Sequence, residues 1–438
     1  MTTPADSELL TMDGWPGGVN NRVRETEQVV ERDERKIPSS QFLRKALNVD
    51  FTAEGHPLRR KGYTLTQAGY AHSVWGSDQI GLICWVLGGS LYVGADVDTA
   101  SAVASVNRYL PMSYVLVNDT IYYSNGRQLG EIYYDGTIRN WGTPIPPTPT
   151  VSGPATQAAQ GYGRTRQVTA TYIDSYGRES GAAEPAFVGA GGDFQVTLPM
   201  PLPPGVSEAR IYVAQTNSEI LYHAQTMVTV GTITVHDSDV GRGRELETLN
   251  RLPPVAGQLV THMNGRVYIA RNDYVSFSEA LRYDLFRPSQ GIYTFPDNVT
   301  LLEEAHDGLY VGTERGVVFI RGSDPYDVQQ IHVSPYAPVA GTAARVPGEK
   351  FGLAVDDLPV WWGKDGAMVV GLPEGQLRQL TRDRLAVPEY GAGAVTIREQ
   401  NGMSHIVSSL RSGGGEDAMG AVDTVVATVR RNGISLNT

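Results

Sequence analysis

Four times after residue 250 the chain sets down the same pattern: a short apolar run, a two-residue polar turn and a second apolar run. The copies are His262-Met-Asn264-Gly265-Arg-Val-Tyr-Ile-Ala, His306-Asp307-Gly308-Leu-Tyr-Val-Gly, Val355-Asp356-Asp357-Leu-Pro-Val-Trp-Trp and Glu399-Gln-Asn401-Gly402-Met-Ser-His-Ile-Val. Their turns centre near 265, 308, 357 and 402, at intervals of 43, 49 and 45 residues. A second hairpin falls within two of the units, at Arg315-Gly316 and at Asp365-Gly366. Two hairpins in 40–50 residues make one four-stranded propeller blade. A helical or parallel-stranded core does not fit this rhythm.

The same units appear earlier in the chain. Trp85-Val-Leu and Ser90-Leu-Tyr-Val flank Gly88-Gly89, and Tyr114-Val-Leu-Val and Thr120-Ile-Tyr-Tyr flank Asn118-Asp119. Asn125-Gly126 and Asp135-Gly136 follow, dipeptides that accept the positive φ of tight hairpins. Alternation of Val, Ile and Tyr with polar residues predicts half-buried strands. Two blades before residue 145 and four after 253 predict a propeller of about six.

A different block separates the two groups. Pro144-Ile-Pro-Pro-Thr-Pro-Thr150 is stiff and extended, and Pro253-Pro254 closes the block about 100 residues later. Between them lie short alternating runs: Gln167–Ile173, Phe194–Leu198, Ala209–Ala214, Leu221–Ala224 and Ile233–His236. That length and pattern predict an immunoglobulin- or fibronectin-like β-sandwich. The expected organisation is therefore an N-terminal arm and docking segment (1–61), first blades (62–145), an inserted sandwich (146–252) and remaining blades (253–438). Within the arm, residues 22–36 carry ten charges with three valines, and Glu31 and Arg35 stand one helical turn apart. A solvated surface helix or loop is one expectation there. An arm that orders against a partner is the other.

Composition narrows the chemistry. The 438 residues hold 47 acidic and 36 basic side chains, for a formal charge of −11, which does not suit tight wrapping of duplex DNA. Cys84, the single cysteine, excludes an intrachain disulfide and a cysteine zinc site, and its apolar setting predicts an inert buried thiol. The most apolar stretch, Ile80–Leu87, is too short to cross a bilayer, so no membrane insertion is expected; nor does the start resemble a secretory signal.

Catalytic patterns are not found in the sequence. There is no Gly-x-Ser-x-Gly elbow and no phosphate loop, and no two of the eight histidines stand at helical metal-pair spacing. Gly189–Asp193 reads as a turn. Asp237-Ser-Asp239 could begin a calcium loop, but Arg242 and Arg244 follow it. Glu303-Glu304 and Asp356-Asp357 supply carboxylates for acid–base work, yet neighbours on a strand point to opposite faces. Trp361-Trp362 invites sugar stacking, although one ring in the core and one at the surface is the plainer expectation. No cofactor, metal or catalytic residue is expected.

Three segments resemble a known family. Gly17-Gly18-Val19-Asn20-Asn21-Arg22, Ala46–Gly55 and Leu58-Arg59-Arg60-Lys61-Gly62-Tyr63 are similar to the opening of tail nozzle or hub proteins of short-tailed, podovirus-type bacteriophages, also called packaged-DNA stabilisation proteins. Tyr172–Gly181 followed by Ala209–Val213 is similar to the fibronectin-like inserts of such proteins. The resemblance implies a non-enzymatic virion protein, made in the bacterial cytoplasm and built into the tail. It implies a homo-hexameric ring below the portal and adaptor, with tail fibre or needle proteins as further partners and transient, non-specific contact with passing duplex DNA. It marks Gly17, Gly18, Val19, Asn20, Arg22, Arg59, Arg60 and Lys61 as candidate docking positions. A propeller-type glycoside hydrolase and a lectin-like receptor-binding module are the alternatives.

Overall fold

The computed structural model describes residues 15, 18–22, 29–32, 37–40, 43, 46, 49–52, 56–60, 64–153, 164–229, 231–322, 324–385, 390–400, 403–412, 422–430 and 433–437. The polar turns of the repeat fall where strands reverse. Asn264 and Gly265, at φ +49° and +69°, make the paired left-handed turn that joins Leu259–Met263 to Arg266–Arg271. Asn118-Asp119 and His306-Asp307 do the same work in their own sheets.

Among the described residues these hairpins build six four-stranded antiparallel meanders of the kind that makes propeller blades. The first is Ala71–Ser77, Leu82–Leu87, Ser90–Gly94 and Ser101–Ser105. The second is Ser113–Val117, Thr120–Ser124, Leu129–Tyr133 and Ile138–Arg139. The third, Leu259–Met263 to Arg282–Phe286, gains a fifth strand, Ile292–Thr294. The fourth runs from Val299–Ala305 to Gln329–Ser334, the fifth from Ala344–Pro347 to Leu377–Gln379, and the sixth from Tyr390–Gln400 to Gly433–Asn437. The fold is all-β, as the turn spacing predicts.

The chain divides into two compact units. One comprises 69–294, with the first three sheets and the middle block; the other comprises 1–68 and 295–438, with the last three sheets and the N-terminal segments. Within each, neighbouring sheets stack face to face, and adjacent residues of one strand enter different cores. Tyr123 packs with Cys84, Val86 and Leu91 of the first sheet, whereas Tyr122 packs with Trp141, Val267 and Ile269 toward the third. Trp361 packs with Tyr310 and Phe319 of the fourth sheet, and Trp362 with Ile406 and Leu410 of the sixth.

Both tryptophans are therefore buried, at 2% and 0% exposure, which corrects the expectation of one core and one surface ring. The cause is stacking on both faces, which also leaves all of Gly308–Thr313 buried rather than half-buried. Burying a ring of this size stabilises by several kcal/mol, about 3–5 when judged by truncation to alanine.

The middle block forms two antiparallel sheets around one core. Thr150–Ser152, Phe194–Thr197 and Thr232–Val235 make one; Ala186–Gly189, Thr165–Asp174, Val206–Ala214 and Leu221–Met227 make the other. Val168, Ala170 and Tyr172 from the second meet Phe194 and Val196 from the first. The charged N-terminal segment departs from the helical expectation. Val29–Arg32 pairs antiparallel with Ile37–Ser40, so Glu31 lies in a hairpin strand. The β-branched Val29-Val30 pair suits that extended backbone, and too few apolar residues recur at helical spacing to hold a helix. No helix among the described residues is long and apolar enough to cross a membrane.

Candidate functional site

The N-terminal positions singled out in the sequence act first within the chain itself. Val19 is 1% exposed and packs with Ala46 and Phe51. The Asn20 N–H donates to the Leu43 carbonyl at 2.7 Å and the Leu43 N–H to Gly18 at 2.8 Å. Asn21 N–H and Arg22 Nε then donate to the carbonyls of Arg384 and Leu385, both at 3.0 Å, which stitches this segment to the chain after the fifth sheet. Gly17 and Lys61 lie outside the described residues.

Arg59 and Arg60 part ways. Val49–Phe51 and Pro57–Arg59 form a two-stranded sheet whose second strand is exposed throughout, so Arg59 faces solvent. Arg60 turns back: its Nε donates to Asp50 Oδ1 at 3.0 Å and its Nη2 to the Val49 carbonyl. Arg398 of the sixth sheet donates Nη2 to Asp50 Oδ2, also at 3.0 Å. Burial pulls the Asp50 carboxyl upward, but hydrogen bonds and charge from Arg398 and Arg60 outweigh it and hold the group below its ordinary value. Arg60 thus spends its charge inside the chain rather than on a neighbouring subunit.

A second polar assembly joins the middle block to the second sheet. Asp174 ends the strand Thr165–Asp174, and its Oδ1 accepts the N–H groups of Tyr176 and Arg178, which closes the tight Asp174–Arg178 turn. Arg178 then reaches out. Its Nε donates to Asp174 Oδ2 at 2.7 Å, its Nη1 to Glu131 Oε1 at 2.6 Å and its Nη2 to the Asn140 carbonyl. The Glu131 side chain is 1% exposed. Burial pushes its carboxyl up to about 7; Arg178 opposes that rise, and Asp284 and Asp174 add to it. Arg282 bonds Asp284 and the Glu179 carbonyl, so the third sheet is tied in as well. The Tyr172–Gly181 segment is therefore a joint. Its partners Glu131, Arg139 and Asp284 carry no sequence motif, and only their chain spacing after folding reveals them.

The Glu303-Glu304 pair behaves differently from the alternation argument. Although the two are neighbours on Val299–Ala305, Arg345 reaches both, with Nη2 3.0 Å from Glu304 and Nη1 3.8 Å from Glu303. Its Nη2 also donates to the Asp357 carbonyl. Burial raises the Glu303 carboxyl to about 7, with Glu304 adding to the rise and Arg345 opposing it. Asp356 and Asp357 lie near enough to raise Glu304 too.

The remaining candidates have structural partners. Asp237 pairs with Arg166 at 2.6 Å, and Asp239 accepts from Gln225 and from the His236 N–H. Cys84 is buried, and desolvation pushes its thiol up to about 12. Gly191 and Gly192 have left-handed backbone and form the turn between Ala186–Gly189 and Phe194–Thr197. No group of three or more His, Cys, Asp or Glu among the described residues could hold a metal ion.

No protein-family model matches the chain, and no curated protein does. Solved structures that are similar to it include the WD40 domain of Neurospora crassa Pan2, at 8% identity and a TM-score of 0.34 over 77% of this chain and 86% of that one. The BP39L lectin from Burkholderia pseudomallei is similar at 11% identity and a TM-score of 0.30, over 84% and 96%. The extracellular domain of BT4673 from B. thetaiotaomicron is similar at 10% identity and 0.26, over 88% and 62%. Likeness at this level carries no functional weight.

Proposed function

We propose that this chain is a virion structural protein: a tail nozzle or hub subunit of a short-tailed phage. In this reading six copies form a ring beneath the portal and adaptor, retain the packaged genome and conduct it during ejection. The observation that carries the reading is the double role of the N-terminal matches. Val19, Asn20, Arg22 and Arg60 clamp the segment onto the chain's own body, while Arg59 stays exposed on the outer strand of its hairpin, beside Leu58 at 52% exposure. A clamped base with an exposed apolar and basic edge is what a docking element needs. The net charge of −11, multiplied around a ring, suits a conduit that repels phosphate and lets DNA slide.

The test is assembly. Purified chain mixed with a portal–adaptor complex should add six copies per complex by mass photometry, and Arg59→Glu should lower occupancy at least tenfold. A chain that ignores the portal–adaptor complex overturns the proposal. Saturable sugar binding or glycoside turnover in such a chain points instead to the lectin-like or hydrolase alternative.

A further inference from the structure

Arg139 ends the second sheet, on the strand Ile138–Arg139, and its guanidinium lies in a slot between two tyrosines. The central carbon sits 3.4 Å from the Tyr133 ring centre and 3.6 Å from that of Tyr176, and the two rings are 6.4 Å apart at only 23°. Tyr133 belongs to the second sheet and Tyr176 to the turn of the middle block. Glu131 is the register partner of Arg139, yet its carboxylate turns to Arg178. Arg178 has spent Nε, Nη1 and Nη2 on Asp174, Glu131 and Asn140. Arg139 has no carboxylate or carbonyl acceptor among the described residues, and its Nε is buried without one. Asp135, the nearest acid along the chain, accepts from the Thr137 N–H and hydroxyl and feels Arg139 as a nearby charge without a hydrogen bond to it.

The physics of such a slot favours one kind of ligand. Ring faces above and below fix the guanidinium plane and strip its weakly held water, so little side-chain entropy remains to be lost on binding. The N–H donors of a guanidinium form a planar fork that matches two oxygens of a planar group. Tyr176, 52% exposed, borders the slot, and exposed tyrosine beside arginine is the composition of a binding hot spot. We propose that the edge of Arg139, held between Tyr133 and Tyr176, is a binding site for a carboxylate taken in plane by two N–H donors. The carboxylate comes either from a small organic acid or from an acidic side chain of a second copy of this chain.

Calorimetric titration of the full chain with succinate at constant ionic strength tests the site. The expected result is saturable 1:1 binding that weakens at least tenfold in Arg139→Gln, weakens partly in Arg139→Lys and is unchanged in Arg127→Gln. Arg139→Lys keeps the charge without the fork, and near-UV circular dichroism checks that each variant is folded. If Arg139→Gln does not fold, the lysine variant decides alone. No saturable binding, equal binding by the glutamine or lysine variant, or tighter binding of inorganic phosphate overturns the proposal. Sedimentation velocity then separates the sources. Self-association that succinate reverses and Arg139→Gln abolishes assigns the carboxylate to a second copy, and succinate binding by a chain that stays monomeric assigns it to a small acid.

Discussion

Two carboxylates tie together segments that lie far apart in the chain. Asp50 takes Arg60 from its own hairpin and Arg398 from the sixth sheet, each at 3.0 Å. Glu131 takes Arg178 from the middle block at 2.6 Å. The shorter contact belongs to the group that titrates upward. Asp50 has two guanidinium groups to itself and keeps 15% of its side chain exposed, and its carboxyl is held low. Glu131 is 1% exposed and shares Arg178 with Asp174, while Asp284 adds a third nearby carboxylate. Distance does not decide the sign. The balance of cations to carboxylates and the loss of water do, since one arginine does not repay the desolvation of several acids.

That balance is best broken at Arg178. Arg178→Ala leaves Glu131 and Asp174 buried without their cation, and the unfolding free energy should fall by about 3–5 kcal/mol at pH 8. At pH 5.5 the loss should be roughly half, because Glu131 then takes up a proton and no longer needs a partner. Urea unfolding at the two pH values measures both. An equal loss at each would mean that Glu131 does not titrate between them.

Glu131→Gln sharpens the same point. A carboxyl raised from 4.5 to about 7 in the fold binds a proton there that the unfolded chain has already released. Its contribution to stability is complete below pH 4.5 and is lost as pH climbs through 7, on the order of 3 kcal/mol at about 1.4 kcal/mol per pKa unit. Wild-type stability should therefore decline across that window. The glutamine variant should remove roughly half of the decline and leave the rest to Glu303, whose carboxyl is raised to the same value. A variant with the wild-type slope would place the proton elsewhere.

The sheets were far more legible than these clusters. Asn264-Gly265 and Gly88-Gly89 announce reversals because backbone strain is local and needs few neighbours. The middle block's strands follow from the same alternation. What alternation does not carry is what lies across from each face, and so Trp361 and Trp362 read as one buried ring and one exposed. Asp50 and Arg178 stand in recognisable local motifs, but their distant partners, Arg398 and Glu131, lie 348 and 47 positions away. Partners at such separations are chosen by the packing of whole sheets. The hairpin around Glu31 was hidden for a related reason: spacing of four residues supports a helical turn only where nothing pairs with the strand.

The smallest effect is expected at Asp50, and it runs the other way with pH. Asp50→Asn keeps the shape, but its one carbonyl oxygen accepts more weakly from one arginine while its NH2 group faces the donors of the other, at a cost of about 2 kcal/mol at pH 7. A carboxyl held below 3.8 in the fold contributes stability above that value and loses it as pH falls through the folded pKa, so the penalty should shrink in acid rather than toward neutrality. The damage should also be local. Hydrogen exchange should quicken at the amides of Val49–Phe51 and of Leu58 and Arg59, whose strands pair only with each other in their sheet, while the fully buried strand Gly308–Thr313 keeps its protection. Equal loss of protection in both places would show that the hairpin is part of the cooperative core. The contrast between a low, doubly paired carboxylate at the edge and a high, shared one in the interior would then need another cause.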